Sequence, residues 1–293
     1  MTANWSIITE HISRVTGSTF KGEQISSVGG GCINQAYRLS DGQRSYFVKL
    51  NQANALGMFE AELAGLQEIC QSHTILAPRP LGCGVAMGSA YIVLEWLSLT
   101  SGSTQGWAAM GQQLAAMHRV SSPNGFGWHR ANTIGETLQP NRWQENWLDF
   151  WQGQRLGHQF RLAQRRGGHF PKKQALMDCL PDLLGDHRPS PSLVHGDLWS
   201  GNAALTADME PVIFDPAVYY GDREVDIAMT ELFGRFPQAF YQAYQSSWPL
   251  APGYDLRKRL YNLYHILNHF NLFGGGYEAQ ANRTIDQLVK AVC

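Results

Sequence analysis

Neither sign of charge predominates in this chain. Its 293 residues carry 23 Lys and Arg against 24 Asp and Glu, a formal net charge of −1. That balance supplies no global basic field to gather nucleic acid or an anionic membrane surface, so neither is expected as a partner. Long hydrophobic runs are missing too, since no stretch approaches the roughly 20 apolar residues that span a bilayer. Cysteine is sparse and unpatterned. Cys32, Cys70, Cys83, Cys179 and Cys293 are far apart, with no C-x-x-C pair and no neighbouring histidines at zinc-binding spacing, which suits a reducing cytoplasm. No cleavable leader is read at the start, where Trp5, Ile8, Ile12 and Val15 recur at helical spacing. Internal repeats, low-complexity tracts and a G-x-x-x-x-G-K-[ST] nucleotide loop are all absent.

What is present is concentrated in one octapeptide. His195-Gly196-Asp197-Leu198-Trp199-Ser200-Gly201-Asn202, followed by Phe214-Asp215-Pro216, supplies three oxygen-bearing side chains in the order that magnesium-dependent phosphoryl transfer uses. Asp197 is placed to take the proton of an attacking hydroxyl. Asn202 and Asp215 are placed to hold metal against nucleotide phosphates. A bare H-G-D could be a tight turn with an Asx bond, but a turn gives no reason for an Asn five residues after the Asp or for an Asp ending a later strand.

The flanking pattern supplies the nucleotide half. After a first amphipathic helix, residues 24–50 alternate as three antiparallel strands, broken by Gly29-Gly30-Gly31 and by Asp41-Gly42. A helix follows over 56–70, then two strands entered through Pro78 and Pro80. Lys49 lies on a strand behind the glycine hairpin, where it can reach ATP phosphates, and a glutamate on the next helix would hold it there. Glu62 is the chosen partner because it precedes Leu66 and Ile69 by one turn, with Glu60 as the alternative. Glu95 and Leu97 occupy the exit from the last strand, where a carbonyl and an amide on the same side can meet adenine. The polar stretch 98–104 reads as a connector, and the remainder as helices around one short β segment that carries the octapeptide. The expected class is therefore α+β and bilobal, protein-kinase-like: a five-stranded antiparallel sheet with a helix over 1–97, then a mainly helical catalytic lobe over 98–293.

The chain resembles the fructosamine kinase (ketosamine-3-kinase) family within the aminoglycoside- and choline-kinase-like folds. The resemblance rests on the octapeptide and on Gly29-Gly30-Gly31-Cys32-Ile33-Asn34-Gln35, Phe47-Val48-Lys49, Met58-Phe59-Glu60-Ala61-Glu62, Asn132-Thr133-Ile134-Gly135 and Gln139-Pro140-Asn141. Segments 221–229, 261–270 and 273–277 extend it over nearly the whole chain. It implies ATP- and Mg2+-dependent phosphorylation of the 3-hydroxyl of ketosamines, free or on glycated protein lysines, by a monomer or a homodimer. Another small-molecule hydroxyl kinase of the aminoglycoside or choline type is the alternative. Trp199 and the Asn132–Gly135 and Gln139–Asn141 stretches separate the two, and the Trp199 indole is expected on the substrate side, against the competing view of a packing residue. His195 is expected to brace the backbone near Asp215, and Asp222 and Asp226 to cap the helix start after the metal loop. Cys32, beside three glycines, is either an inert thiol or an oxidisable one.

Overall fold

A computed structural model describes residues 5–29, 33–100 and 102–292. The chain runs through α1 (Trp5–Thr16), β1 (Gln24–Val28), β2 (Gln35–Ser40), β3 (Ser45–Gln52), α2 (Leu56–Ser72), β4 (Pro80–Ala86) and β5 (Ser89–Glu95). Their strands form one antiparallel sheet in the order β1-β2-β3-β5-β4. Between β2 and β3, the Asp41 carboxylate accepts from the Gln43 and Arg44 amides, and Gly42 turns the chain at φ +89°. A left-handed residue there is what the Asp-Gly pair announced.

Both faces of this sheet are covered, where the sequence suggested one helix. Alternation along β5 explains it: Tyr91 and Val93 join Ile8 and Ile12 of α1, while Ala90, Ile92 and Leu94 join Phe59, Leu66 and Ile69 of α2. Each fully buried aliphatic side chain in these layers contributes about 1.5–3 kcal/mol.

The connector is not wholly irregular. Its residues Leu99–Thr100 form β6, and Thr100 pairs with Leu205 in the second lobe. There follow α3 (Thr104–His118), β7 (Asn132–Ile134), β8 (Thr137–Gln139), α4 (Trp147–Phe150), a π-helical turn (Trp151–Leu156), α5 (Gly157–Arg165), α6 (Lys173–Asp178) and α7 (Leu180–Leu184). The remaining elements are β9 (Ser192–Val194), β10 (Ala203–Thr206), β11 (Pro211–Ile213), β12 (Tyr219–Gly221), α8 (Glu224–Met229), α9 (Gln238–Ser247), α10 (Tyr254–Phe273) and α11 (Tyr277–Val292). Ser103 starts α3 by accepting from the Gly106 amide at 3.1 Å. The lobe is mainly helical as expected, but its β structure is three small sheets, β11-β10-β6, β12-β9 and β7-β8, rather than one segment. Among the described residues no helix is long and apolar enough to cross a membrane. Of the described cysteines, Cys70 and Cys83 are free thiols but Cys179 is disulfide-bonded, which the expectation of a fully reduced set did not include.

Candidate active site

The octapeptide joins β9 to β10, and its shape is set from beneath. Gly196 has φ +81°, and a Cβ there would lie 2.2 Å from the Ala217 carbonyl oxygen, so only glycine fits. The His195 ring is buried. Its Nδ1 accepts from the Asp197 amide at 3.2 Å, which leaves Nε2–H to donate to the Phe214 carbonyl at 3.0 Å. Burial pushes this imidazole below its ordinary range, consistent with a neutral ring that ties the catalytic turn to the strand before Asp215.

Asp226, from α8, is the second brace. Its carboxylate accepts from the His195 and Gly196 amides at 2.7 and 2.9 Å and from His118 Nε2 at 3.1 Å. Burial opposes its ionisation, but His118 and these amides outweigh it and hold Asp226 below the usual carboxylate range. Sequence reasoning had Asp226 capping its own helix, and the structure turns it to the octapeptide instead. Asp222 does accept from the Glu224 amide at 3.1 Å, and it also takes His187 and the Tyr261 hydroxyl. His187, Asp222 and Glu224 lie close enough to suggest a metal cluster, but Arg257 already binds Glu224 through Nε and Nη2 at 2.7 and 2.9 Å.

Above these braces the functional side chains converge. Lys49 is buried on β3 and donates to Glu62 Oε1 of α2 at 2.7 Å and to Asp215 Oδ1. Burial works against its charge, but the Asp215 and Glu62 carboxylates more than restore it, so its pKa lies above the ordinary lysine range. Glu60, the alternative partner, instead meets Arg130 at 3.2 Å. Asp215 follows β11 at φ +58°, a left-handed conformation that a non-glycine residue adopts only when its surroundings enforce it. Asn202 Nδ2 donates to the Asp197 carbonyl at 2.8 Å. Asp197 itself is pushed up to about 7, first by burial and then by the nearby carboxylates of Asp215 and Asp226.

The remaining expected residues divide. Trp199 is 38% exposed, and its ring lies over Gly201, where a Cβ would come within 2.3 Å of it. Glu95 ends β5, its amide donates to the Arg79 carbonyl at 2.9 Å, and Leu97 follows in the short passage to β6. Gly29 is described and exposed, whereas Gly30, Gly31 and Cys32 lie outside the described residues.

Three features of the site were given no structural role by the sequence, although the first of them lies in segments that carry the family resemblance. Asn132, Gln139 and Asn141 form a buried network in which Asn132 Nδ2 donates to the Val218 carbonyl at 2.8 Å and Gln139 Nε2 to the Ala217 carbonyl at 3.1 Å, just after Asp215-Pro216. Arg155, fully buried, donates to Asn141 Oδ1 at 2.7 Å and sits 4.0 Å over the Tyr219 ring. Glu68, two turns beyond Glu62 on α2, accepts from Trp128 Nε1 at 2.5 Å and from the Tyr220 hydroxyl at 2.7 Å, both in the other lobe. No local sequence pattern pointed to the last of these, because its partners are distant along the chain.

Asp215 and Asn202 offer a carboxylate and an amide oxygen, hard donors that suit a hard divalent cation such as magnesium. A model of the fructosamine kinase family matches residues 4–291. A probable ketoamine kinase of Synechocystis sp. is 54% identical over 288 residues, 98% of each chain. A chloroplastic protein-ribulosamine 3-kinase of Arabidopsis thaliana is 41% identical over 272 residues, covering 91% of this chain and 83% of the relative. A crystal structure from Haemophilus somnus, assigned as a fructosamine-3-kinase, superposes with a TM-score of 0.91 at 29% identity over 97% of both chains. The aminoglycoside phosphotransferase APH(4)-Ia, at 16% identity and a TM-score of 0.63 over 99% of both chains, shares the fold. With the octapeptide, the Lys49–Glu62 pair and a family match from end to end, the chain belongs to the fructosamine kinase family.

Proposed function

We propose that this protein transfers the γ-phosphoryl group of ATP to the 3-hydroxyl of ketosamines, with residues 1–97 holding nucleotide and residues 98–293 holding the acceptor. The observation that carries this reading is that Lys49 contacts Asp215, Asn202 contacts Asp197, and the Asp197 and Asp215 carboxylates act on one another, in a chain whose relatives are ketoamine and protein-ribulosamine kinases. Passage of the chain from the five-stranded sheet at Glu95 to β6 at Leu99 supports a boundary near residue 98, and with it an adenine site at Glu95 and Leu97.

In this mechanism Asp197 orients the acceptor hydroxyl and takes its proton as the oxygen bonds to phosphorus. Lys49, fixed by Glu62, steadies the nucleotide phosphates, with Gly29, Gly30 and Gly31 as the further nucleotide contacts. Asp215 and Asn202 would hold magnesium, which when bound offsets charge on the phosphates. Lys49 now occupies one oxygen of Asp215, so the carboxylate is already oriented toward the phosphate side. Proton, phosphoryl group and ADP then balance: the acceptor O–H bond and the γ-phosphate bond break, and one O–P bond forms. Phosphate at C3 lies beside the C2 ketone, so enolisation across C1–C2 can expel it and leave an imine at C1, whose hydrolysis by water frees the amine and gives deglycation without a further catalyst. The substrate is either a small ketosamine or a glycated lysine on a protein, and the setting is cytoplasmic.

A panel of ribulosamines, erythrulosamines and fructosamines, assayed for ADP release, tests the reading. Release above the acceptor-free background is expected for at least one of them. Release with aminoglycosides or choline alone overturns it.

Trp199 gives a sharper prediction. The exposed indole two residues from Asp197 suits the apolar face of a sugar or the cationic amine of a ketosamine. Trp199→Ala is expected to raise the ketosamine KM about two- to tenfold, in line with one lost aromatic contact, and the ATP KM by less. Steady-state kinetics with each substrate varied in turn measures both. Equal rises assign Trp199 to packing on Gly201.

A further inference from the structure

α10 carries a group that the chemistry above leaves unused. His265 is 5% exposed, and its Nδ1 is sealed from solvent with no hydrogen-bond partner among the described residues. Its neighbours differ. His195 bonds the Phe214 carbonyl, His118 bonds both Tyr244 and Asp226, and His269 bonds the His265 carbonyl. A buried polar atom left unpaired is costly, and native structures rarely keep one without a reason. The orphaned nitrogen of His265 faces Asp197 Oδ1 across 3.9 Å.

Burial drives the His265 imidazole down to about 3, and the neighbouring His269 adds to the effect. The ring is therefore neutral, with one N–H and one lone pair. With Asp197 ionised, the form that acts as base, a lone pair on Nδ1 would repel its carboxylate whereas an N–H there attracts it, which favours the Nδ1–H tautomer.

We propose that His265 is a positioning residue for Asp197: once nucleotide and acceptor fill the site, its Nδ1–H donates to Asp197 Oδ1 and leaves Oδ2 to take the acceptor's proton. The inference rests on the assignment of Asp197 as proton acceptor. The present gap exceeds a hydrogen bond by about 1 Å, which rotation of the carboxylate about its Cβ–Cγ bond can close. On the other side Asn202 Nδ2 already lies 3.4 Å from Oδ2, so the two donors bracket the carboxylate. A base held in this way keeps one lone pair aligned with the hydroxyl through the transfer, which is the advantage of orienting a general base rather than replacing it.

The test separates donation from bulk. His265→Leu is expected to lower kcat about ten- to a hundredfold, the worth of one hydrogen bond to a charged group, with the ATP KM within about twofold of wild type. His265→Asn, whose amide can donate from nearly the same point, should recover most of that loss. A Leu variant with wild-type kcat overturns the proposal, and so does an Asn variant no better than Leu. Imidazole 15N spectra of the full chain with magnesium and a non-hydrolysable ATP analogue give a readout independent of turnover and of the variants' folding. An Nδ1–H signal for His265 is expected, and an Nε2–H signal overturns the contact. Failure of the ketosamine reading is seen separately, as a wild-type protein that phosphorylates no ketosamine, and the tautomer still decides the His265 contact in that case.

Discussion

Asp197→Asn is expected to cut kcat by about 10²–10⁴-fold while the protein still folds and binds magnesium-ATP. The amide preserves shape and can keep the Asn202 side chain nearby, but it has no lone pair basic enough to take the hydroxyl proton. Turnover near wild type would remove Asp197 from that role. The same substitution carries a second expectation with the opposite sign. Burial and the carboxylates of Asp215 and Asp226 raise Asp197 to about 7 in the folded protein, against about 4 in an unfolded chain. The folded state thus binds this proton more tightly, so ionising Asp197 removes stability as pH rises from about 4 through about 7. Asp197→Asn has no such ionisation. Its melting temperature without ligand should exceed that of wild type by a few degrees at pH 8, on the order of 2–4 °C for each kcal/mol, and by less at pH 5. Thermal melts at the two pH values measure the difference, and an equal gain at both detaches the stability effect from Asp197 ionisation. The proposed base is thereby a group that the fold holds at a cost.

Asp215→Ala should abolish the magnesium-dependent part of ATP binding, a loss of at least about tenfold in affinity, with little change in fold. Its side chain is 47% exposed, and Lys49 keeps Glu62 as a buried partner when Asp215 is gone. Uncompensated charge is therefore avoided, and the defect is confined to the metal. Calorimetric titration with ATP in the presence and absence of magnesium reads it directly. A magnesium-dependent affinity equal to wild type would show that Asp215 does not carry the metal.

How far the sequence could be read depended on whether a residue's partner lies nearby along the chain or is announced by a pattern. Lys49 and Glu62 sit on adjacent elements whose apolar neighbours reveal which face is buried, so the pair could be anticipated over Glu60. His195 could be assigned to the backbone because the octapeptide already held a better base. Asp226 could not be placed. A carboxylate two residues into a helix looks like a local cap, and only the closed fold brings the amides of His195 and Gly196 to it, with His118 from α3 behind. Likewise α1 announced its apolar stripe but not its target. The choice of the free sheet face was made by the alternation of β5, and a two-residue strand such as β6 exists only because β10 offers it an edge. His265 was hidden for a different reason: α10 is so thoroughly buried that one polar side chain among Tyr261, Tyr264 and Leu267 reads as core.

Glu68 gives α2 an unusual mechanical standing. Its carboxylate is bound by both the Trp128 indole and the Tyr220 hydroxyl, and Gly65, one turn earlier, lies where a Cβ would come within 3.1 Å of Val218. A helix clamped to the far lobe in this way keeps Glu62 against Lys49 without a partner protein, a phosphorylated loop or a second messenger to push it there. A ligand that works by prying this helix off its sheet would first have to break both Glu68 contacts and separate Gly65 from Val218.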